Sequence, residues 1–208
     1  MEARKGTTTV GIICKDCIIL AADNRATAGT LIANKAVQKV VQVSNYMAMT
    51  TAGLVSDIQL FTKIIKGQLM LLKLRKGKEP SVKEAANMLG NLAYSNIRRP
   101  SMIPGIVGFL FAGHDRSGQH LYELTFDGTV LEADEYATDG SGSTIVLGVL
   151  ETLYKKNMTV EQGVELAEKC IQTAIQRDSA TGNGIHVAVI TKDGVNFKNR
   201  KTVDYRLK

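Results

Sequence analysis

The sequence predicts an α+β fold in which pairs of helices cover antiparallel sheets. Three observations lead there. Strand-like segments come in blocks separated by two pairs of helices, so the order is strands, helices, strands, helices, strands. That order lacks the strand–helix alternation of a parallel α/β fold. The 208 residues also contain no linker-like stretch, repeat or low-complexity segment, so they read as one domain. A sandwich of two sheets between two helical layers is one arrangement that satisfies all three.

The first strands are residues 7–14 and 17–24, rich in β-branched side chains, with Lys15-Asp16 as a two-residue hairpin loop. Residues 39–44 and 46–52 form a second pair around Asn45. In residues 58–74, Ile58, Phe61, Ile64, Ile65, Leu69 and Leu72 recur in steps of three and four, which predicts a helix. Gly67 falls inside it, where glycine lowers helix propensity. Pro80-Ser81 opens a second helix that carries Val82, Ala85, Ala86, Leu89, Leu92, Ala93 and Ile97 at helical spacing and ends at Arg98-Arg99-Pro100.

Strands return at 106–114, 119–126 and 129–135, with Asp127-Gly128 a strong hairpin turn. Helices follow at 143–156 and 160–177, the second opened by Thr159 and Gln162 in a capping-box pattern. The last strands are 184–191, 195–197 and 201–205, with a turn at Lys192-Asp193-Gly194.

Composition removes several function classes. Hydrophobic residues make up 44% and charged residues 22%, which excludes a disordered chain. The net charge of +6, from 26 basic and 20 acidic residues, is too mild to argue for nucleic acid. The basic segment 198–208 reads as a solvated edge and tail. No apolar run approaches the roughly 18 residues of a membrane span, and the start of the chain has no apolar signal region. Three cysteines are too few for a disulfide scaffold. We expect a soluble cytoplasmic protein with no membrane and no nucleic-acid partner.

Conventional catalytic patterns are missing. His114, His120 and His186 form no metal-ligand spacing. Cys14 and Cys17 make a CxxC that straddles a hairpin turn rather than opening a helix, and there is no second CxxC for zinc. In a reducing compartment two semi-buried thiols are expected. Asp139-Gly140-Ser141-Gly142-Ser143 precedes a helix and could cradle an anion, but it is neither a P-loop nor a nucleophile elbow. A tight loop with a helix cap is the plainer reading. A hydrolase without a placed histidine needs another base. One solution is a hydroxyl on the first residue of a processed chain, activated by its own α-amine. Such an amine has an ordinary pKa near 7.7 to 8.0, so a good fraction accepts a proton at working pH. Gly6 followed by Thr7-Thr8-Thr9, where the first strand begins, invites that chemistry.

Six motifs then fall in order: Gly6-Thr7-Thr8-Thr9-Val10-Gly11, Ala21-Ala22-Asp23-Asn24-Arg25-Ala26-Thr27, Lys39, Thr51-Ala52-Gly53, Asp139-Gly140-Ser141-Gly142-Ser143 and Arg177-Asp178-Ser179-Ala180-Thr181-Gly182. In sequence and spacing they resemble the archaeal-type β subunits of the 20S proteasome, in precursor form, over residues 6 to about 197. The resemblance implies the N-terminal-nucleophile hydrolase fold, an α+β sandwich of four layers, α/β/β/α. It implies a propeptide of residues 1–6 removed by autocatalysis, and a single domain from residue 7 to residue 208.

By the same resemblance, Thr7 is the nucleophile of a threonine endopeptidase, Lys39 the catalytic lysine, and Asp23 the acid that orients it. Gly53 supplies a backbone N–H to the oxyanion hole. Ser141, Asp178 and Thr181 hydrogen-bond around the terminal amine and the catalytic water; many relatives carry serine at the position of Thr181. The substrate pocket maps to Ala26, Thr27, Val37, Val41, Thr51 and Val55. These are small and uncharged, so hydrophobic side chains ahead of the cleaved bond are expected to be favoured. No metal or organic cofactor is implied.

The partners implied are other β subunits in a seven-membered ring, α-subunit rings outside them, an ATPase cap, and unfolded protein as substrate. Two rivals keep the site but change its use. One is a structural or partner-dependent β paralogue with little activity of its own. The other is a different N-terminal-nucleophile enzyme, which would match the middle motifs poorly.

Overall fold

The computed structural model describes residues 6–102 and 105–198. Its elements follow the predicted order of strands, two helices, strands, two helices, strands. The predicted strand at 201–205 and most of the basic segment 198–208 lie outside the described residues.

One sheet has five strands in the order β11-β1-β2-β12-β13. They are β1 (Thr8–Ile13), β2 (Ile18–Asp23), β11 (Tyr136–Gly140), β12 (Ile185–Thr191) and β13 (Gly194–Phe197). The second sheet runs β10-β9-β8-β6-β5, with the short β7 paired to β8. Its strands are β5 (Val40–Ser44), β6 (Met47–Thr50), β7 (Ala52–Gly53), β8 (Val107–Asp115), β9 (Gly118–Leu124) and β10 (Val130–Ala133). Every pairing is antiparallel.

The central strands β1, β2, β8 and β12 are mostly apolar and buried along most of their length because both of their faces are covered. Successive side chains of a strand point to opposite faces, and here they enter different cores. On β2, Ile19 and Ala21 join a cluster with α3 (Ser143–Leu153) and α4 (Val160–Arg177). The alternating Ile18, Leu20 and Ala22 join a second cluster, built from the strands, that also holds Leu110 and Ala112 of β8 and Leu121 of β9. On β8, Val107, Phe109 and Phe111 turn the other way, to α1 (Val55–Lys76) and α2 (Val82–Arg98). Phe109 and Phe111 are fully buried, and truncating such a side chain to alanine costs about 3–5 kcal/mol.

The helices have local causes. In α2 the Ser81 hydroxyl accepts from Glu84 N while the Glu84 carboxylate accepts from Ser81 N, and α4 repeats this reciprocal cap with Thr159 and Gln162. The predicted positions Val82, Ala85, Ala86, Leu89 and Ala93 of α2 are buried. In α1 Gly67 is simply exposed within a continuous helix, which begins three residues before the predicted start and ends at Gly77 in the left-handed conformation.

Other features depart from the sequence reading. A small hairpin, β3 (Ala26–Ala28) and β4 (Leu31–Asn34), fills a stretch that carried no strand pattern; β4 is exposed along its whole length. Residues 136–138, to which the sequence assigned no element, and Asp139-Gly140, expected as part of a glycine-rich loop, form β11. Its strand character comes from pairing with β1, Thr8 opposite Gly140 and Val10 opposite Thr138. Cys14 and Cys17 are free thiols, and both are buried rather than half-buried.

Candidate active site

The start of β1, the ends of β2 and β11, the segment before β5 and the loop after α4 converge through one hydrogen-bonded network. Pairing of β1 with β11 brings Thr7 beside Ser141, whose N–H donates to the Thr7 carbonyl at 2.8 Å. Gly140 makes this approach possible. Its φ is +100°, and any Cβ there would overlap the Thr7 carbonyl. Thr7 is only 5% exposed, and its hydroxyl donates at 2.6 Å to the carbonyl oxygen of Gly6.

Asp23, at the end of β2, is fully buried and accepts four hydrogen bonds. Its Oδ1 receives Thr8 N at 3.1 Å and Lys39 Nζ at 2.7 Å. Its Oδ2 receives Arg25 N and Gly182 N, both at 2.9 Å. Lys39 Nζ donates also to the Gly6 carbonyl at 3.1 Å. Burial pulls the Lys39 ammonium below its ordinary pKa, and the Asp23 charge and hydrogen bond oppose that pull.

On the other side of Thr7, its N–H points to Ser141 Oγ at 3.4 Å. Ser141 Oγ and Thr181 Oγ1 both donate to Asp178 Oδ2 at 2.5 Å. Since Thr181 spends its proton on Asp178, it accepts from Thr8 Oγ1, 2.6 Å away. Thr8 thereby joins the two halves, with its N–H on Asp23 and its hydroxyl on Thr181.

Gly53 lies in β7 opposite Val107, with φ +137°; a Cβ would overlap the Ile106 carbonyl. A cavity of about 370 Å³ lies beside it, lined also by Gly108, Phe126, Asp139 and Ser141. The six expected pocket residues are spread over β3, the segment before β5, β5 itself, Thr51 and the start of α1. Thr51 is buried, with its N–H on the Lys39 carbonyl, whereas Val55 is 49% exposed. A Cβ on Gly6 would meet Ala180 and stand 2.7 Å from Thr27 Oγ1.

Sequence reasoning missed Thr8, Arg25 and Asn183. The Arg25 guanidinium donates to Asn183 Oδ1 at 2.8 Å and to the Ser179 carbonyl at 2.7 Å. It thus ties the loop that carries Asp178 and Thr181 to the end of β2. Arg25 stands in a quoted motif and a run of three threonines opens β1, but nothing local shows which partner each takes.

A family profile described as "Proteasome subunit" matches residues 3–190. "Proteasome subunit beta 2" of Ignicoccus hospitalis is 43% identical over 203 residues, covering 98% of this chain and 93% of that protein. "Proteasome subunit beta" of Archaeoglobus profundus is 41% identical over 200 residues, 96% of this chain and 91% of that one. The same name is carried by a Methanocaldococcus vulcanius protein, 41% identical over 196 residues, 94% of this chain and 86% of that one. The chain belongs to the proteasome subunit family, among its β subunits.

Proposed function

We propose that this β subunit is a threonine endopeptidase that frees its own nucleophile. The observation that carries the reading is the approach of Lys39 Nζ to both Asp23 and the Gly6 carbonyl, on the peptide bond directly ahead of Thr7. In the first reaction Thr7 Oγ attacks the Gly6 carbonyl carbon. The Lys39 ammonium stabilises negative charge developing on the Gly6 oxygen. The C–N bond breaks, its nitrogen takes up the hydroxyl proton, and a Gly6 ester on Thr7 results. Water hydrolyses the ester, residues 1–6 leave, and residues 7–208 carry a free α-amine.

In the second reaction that amine is the base for Thr7 Oγ. It lies next to Ser141 and within the field of Lys39, which favours its neutral form. A substrate carbonyl is attacked, its oxyanion held by the Gly53 N–H. The amine's proton then goes to the leaving nitrogen, and water releases the acyl group. Ser141, Asp178 and Thr181 fix the amine and the water. The uncharged residues Ala26, Thr27, Val37, Val41, Thr51 and Val55 favour hydrophobic side chains ahead of the bond.

The fold read here is the four-layer α/β/β/α sandwich. Its support is one apolar core between the sheets and one under each helix pair. The subunit works in a core particle of stacked rings, β rings inside α rings, fed with unfolded protein by an ATPase cap in the cytoplasm. Among the described residues no helix is long and apolar enough to cross a membrane.

A second reading, a β paralogue that depends on another β subunit, finds support in relatives from Aeropyrum pernix and Ignicoccus hospitalis that are named "beta 2". One experiment separates the two. The intact mass is measured after assembly with a matching α subunit, beside Thr7→Ala. Loss of residues 1–6 in the wild type alone supports the autocatalytic reading. Retention in both, relieved only by a second β subunit, supports the dependent paralogue.

A further inference from the structure

We propose that Arg25 is a positioning residue for the peptidase reaction: its guanidinium grips the loop after α4 at two points and so holds the Asp178 carboxylate against Ser141, the side chain that faces Thr7 N. The inference rests on the protease reading above. Among the described residues the Arg25 side chain bonds to this loop alone, so it acts through Asp178 and touches no reacting atom.

The loop needs an outside hold. Asp178 caps the end of α4, its N–H on the Ala174 carbonyl, and Ile185 opens β12. The residues between them belong to neither helix nor sheet. Yet Asp178 Oδ2 must stay within reach of both Ser141 Oγ and Thr181 Oγ1, each at 2.5 Å. The loop's own bonds, Thr181 N to the Asp178 carbonyl and Ala180 N to Asp178 Oδ1, both 3.1 Å, shape the turn without placing it in the molecule. Placement comes from β1 and the end of β2. Thr8 Oγ1 meets Thr181, Asp23 Oδ2 accepts from Gly182 N, and Asn24 N donates to the Gly182 carbonyl. These ties fix the middle of the loop. Arg25 fixes both flanks, donating to the Ser179 carbonyl at 2.7 Å and to Asn183 Oδ1 at 2.8 Å.

The seat fits a flat guanidinium. Any Cβ on Gly182 would stand 2.3 to 2.6 Å from its Nη2, Cζ and Nε. Asn183, which accepts from Nε, holds a left-handed backbone with φ +67°, uncommon for a residue other than glycine. The guanidinium presents its donors in a rigid plane, whereas a lysine ammonium keeps the charge and loses the fork. The Arg25 backbone strengthens the link, because its N–H shares Asp23 Oδ2 with Gly182 N. One buried carboxylate thus serves both Lys39 and the loop. Burial is the main cause of the lowered Lys39 pKa, and the Arg25 charge adds to it. Arg25→Lys preserves that charge and isolates the geometry.

The test uses the assembled particle and a fluorogenic peptide, with rates counted per processed chain by intact mass. Arg25→Lys is expected to lower kcat at least about tenfold, within the roughly hundredfold that a 1 Å misplacement costs. KM should stay within about twofold, because the role assigned to Arg25 involves no substrate contact. Asn183→Gly decides the matter if Arg25→Lys fails to assemble. Glycine suits φ +67° and removes only the acceptor of Arg25 Nε, so kcat should fall in the same direction. In an Asp178→Asn particle, Arg25→Lys should cost less than about twofold more, since residues acting in one chain are not additive. A role confined to stability would cost the same in both backgrounds. Wild-type kcat in Arg25→Lys or Asn183→Gly, or an equal loss in the Asp178→Asn background, overturns the assignment and leaves the protease reading standing. Retention of residues 1–6 in Arg25→Lys but not in Asp178→Asn also overturns it, since Arg25 would then act through another group. A wild-type particle that cleaves no faster than Thr7→Ala removes the protease reading and this inference with it.

Discussion

Lys39 Nζ lies 2.7 Å from Asp23 Oδ1, both side chains almost wholly buried, and the same ammonium reaches the Gly6 carbonyl at 3.1 Å. The pair therefore has two tasks that pull apart under mutation. Asp23→Asn keeps the shape but leaves Lys39 buried without its counter-charge, which costs about 3–5 kcal/mol when one partner of a buried pair is lost. Lys39→Met fills the volume but removes the cation at the Gly6 oxygen. Both variants are expected to retain residues 1–6 on intact-mass analysis and to lose peptidase activity by at least about a hundredfold. Chemical denaturation should show Asp23→Asn destabilised. A processed, active Lys39→Met particle would remove Lys39 from the mechanism.

Thr181 is fully buried, accepting from Thr8 Oγ1 and donating to Asp178 Oδ2. Thr181→Val is nearly isosteric yet strands both partners, a loss of about 1–3 kcal/mol for a buried polar group left unsatisfied. Thr181→Ser restores the hydroxyl and gives up one methyl group. The expected order of activity is wild type close to Thr181→Ser, with Thr181→Val well below. Steady-state kinetics beside thermal melts would check it. Equal activity of the valine variant would mean that the Thr8–Thr181–Asp178 chain is structural alone.

How much of this was legible in the sequence depended on whether the cause was local. The Thr159 cap, the α2 core positions and the Asp127-Gly128 turn are written in neighbouring residues and could be read from them. β11 was not, because Tyr136–Gly140 becomes a strand only by pairing with β1. β4, the outer strand of the β3–β4 hairpin, is exposed along its whole length and so has no period to read. At the site, the resemblance brought Thr7, Asp23 and Lys39 to the same short list, and the fold brings them within hydrogen-bond reach of Gly6, Thr8 or one another. Thr8 and Arg25 escaped notice because their partners, Thr181 and Asn183, lie more than 150 residues away and nothing in a linear pattern encodes that pairing.

Gly6 and Gly53 are held by sterics of different kinds. At Gly6 a Cβ would meet Ala180 and crowd Thr27 Oγ1. Gly6→Val should therefore misplace the carbonyl that Thr7 and Lys39 both contact, and processing followed by mass spectrometry should slow at least about tenfold, the effect of about 1.4 kcal/mol on a barrier. Gly53→Ala combines φ +137° with overlap of the Ile106 carbonyl, so it should lower stability by more than about 1–3 kcal/mol of backbone strain. Because Gly53 shares its cavity with Ser141, activity should fall with it. Normal melting and activity in Gly53→Ala would show that β7 can shift to accommodate a side chain.

The lowered Lys39 pKa makes stability depend on pH in a defined sense. Burial is the main cause, and it favours the neutral amine in the folded chain. Unfolding returns the group to about 10.4. Below the folded value both states carry the proton, and this group contributes no slope. Between the folded value and about 10.4 the unfolded chain binds more protons, so stability rises with pH, by at most about 1.4 kcal/mol per unit. Above that window the slope from Lys39 vanishes again. The comparison needs Thr7→Ala as background, so that residue 6 stays in place, with and without Lys39→Met. Urea unfolding from pH 7 to 10 should show the Lys39 chain gaining on the methionine chain as pH rises. A difference that stays flat across that range would mean that Asp23 offsets burial completely and that Lys39 keeps its proton throughout.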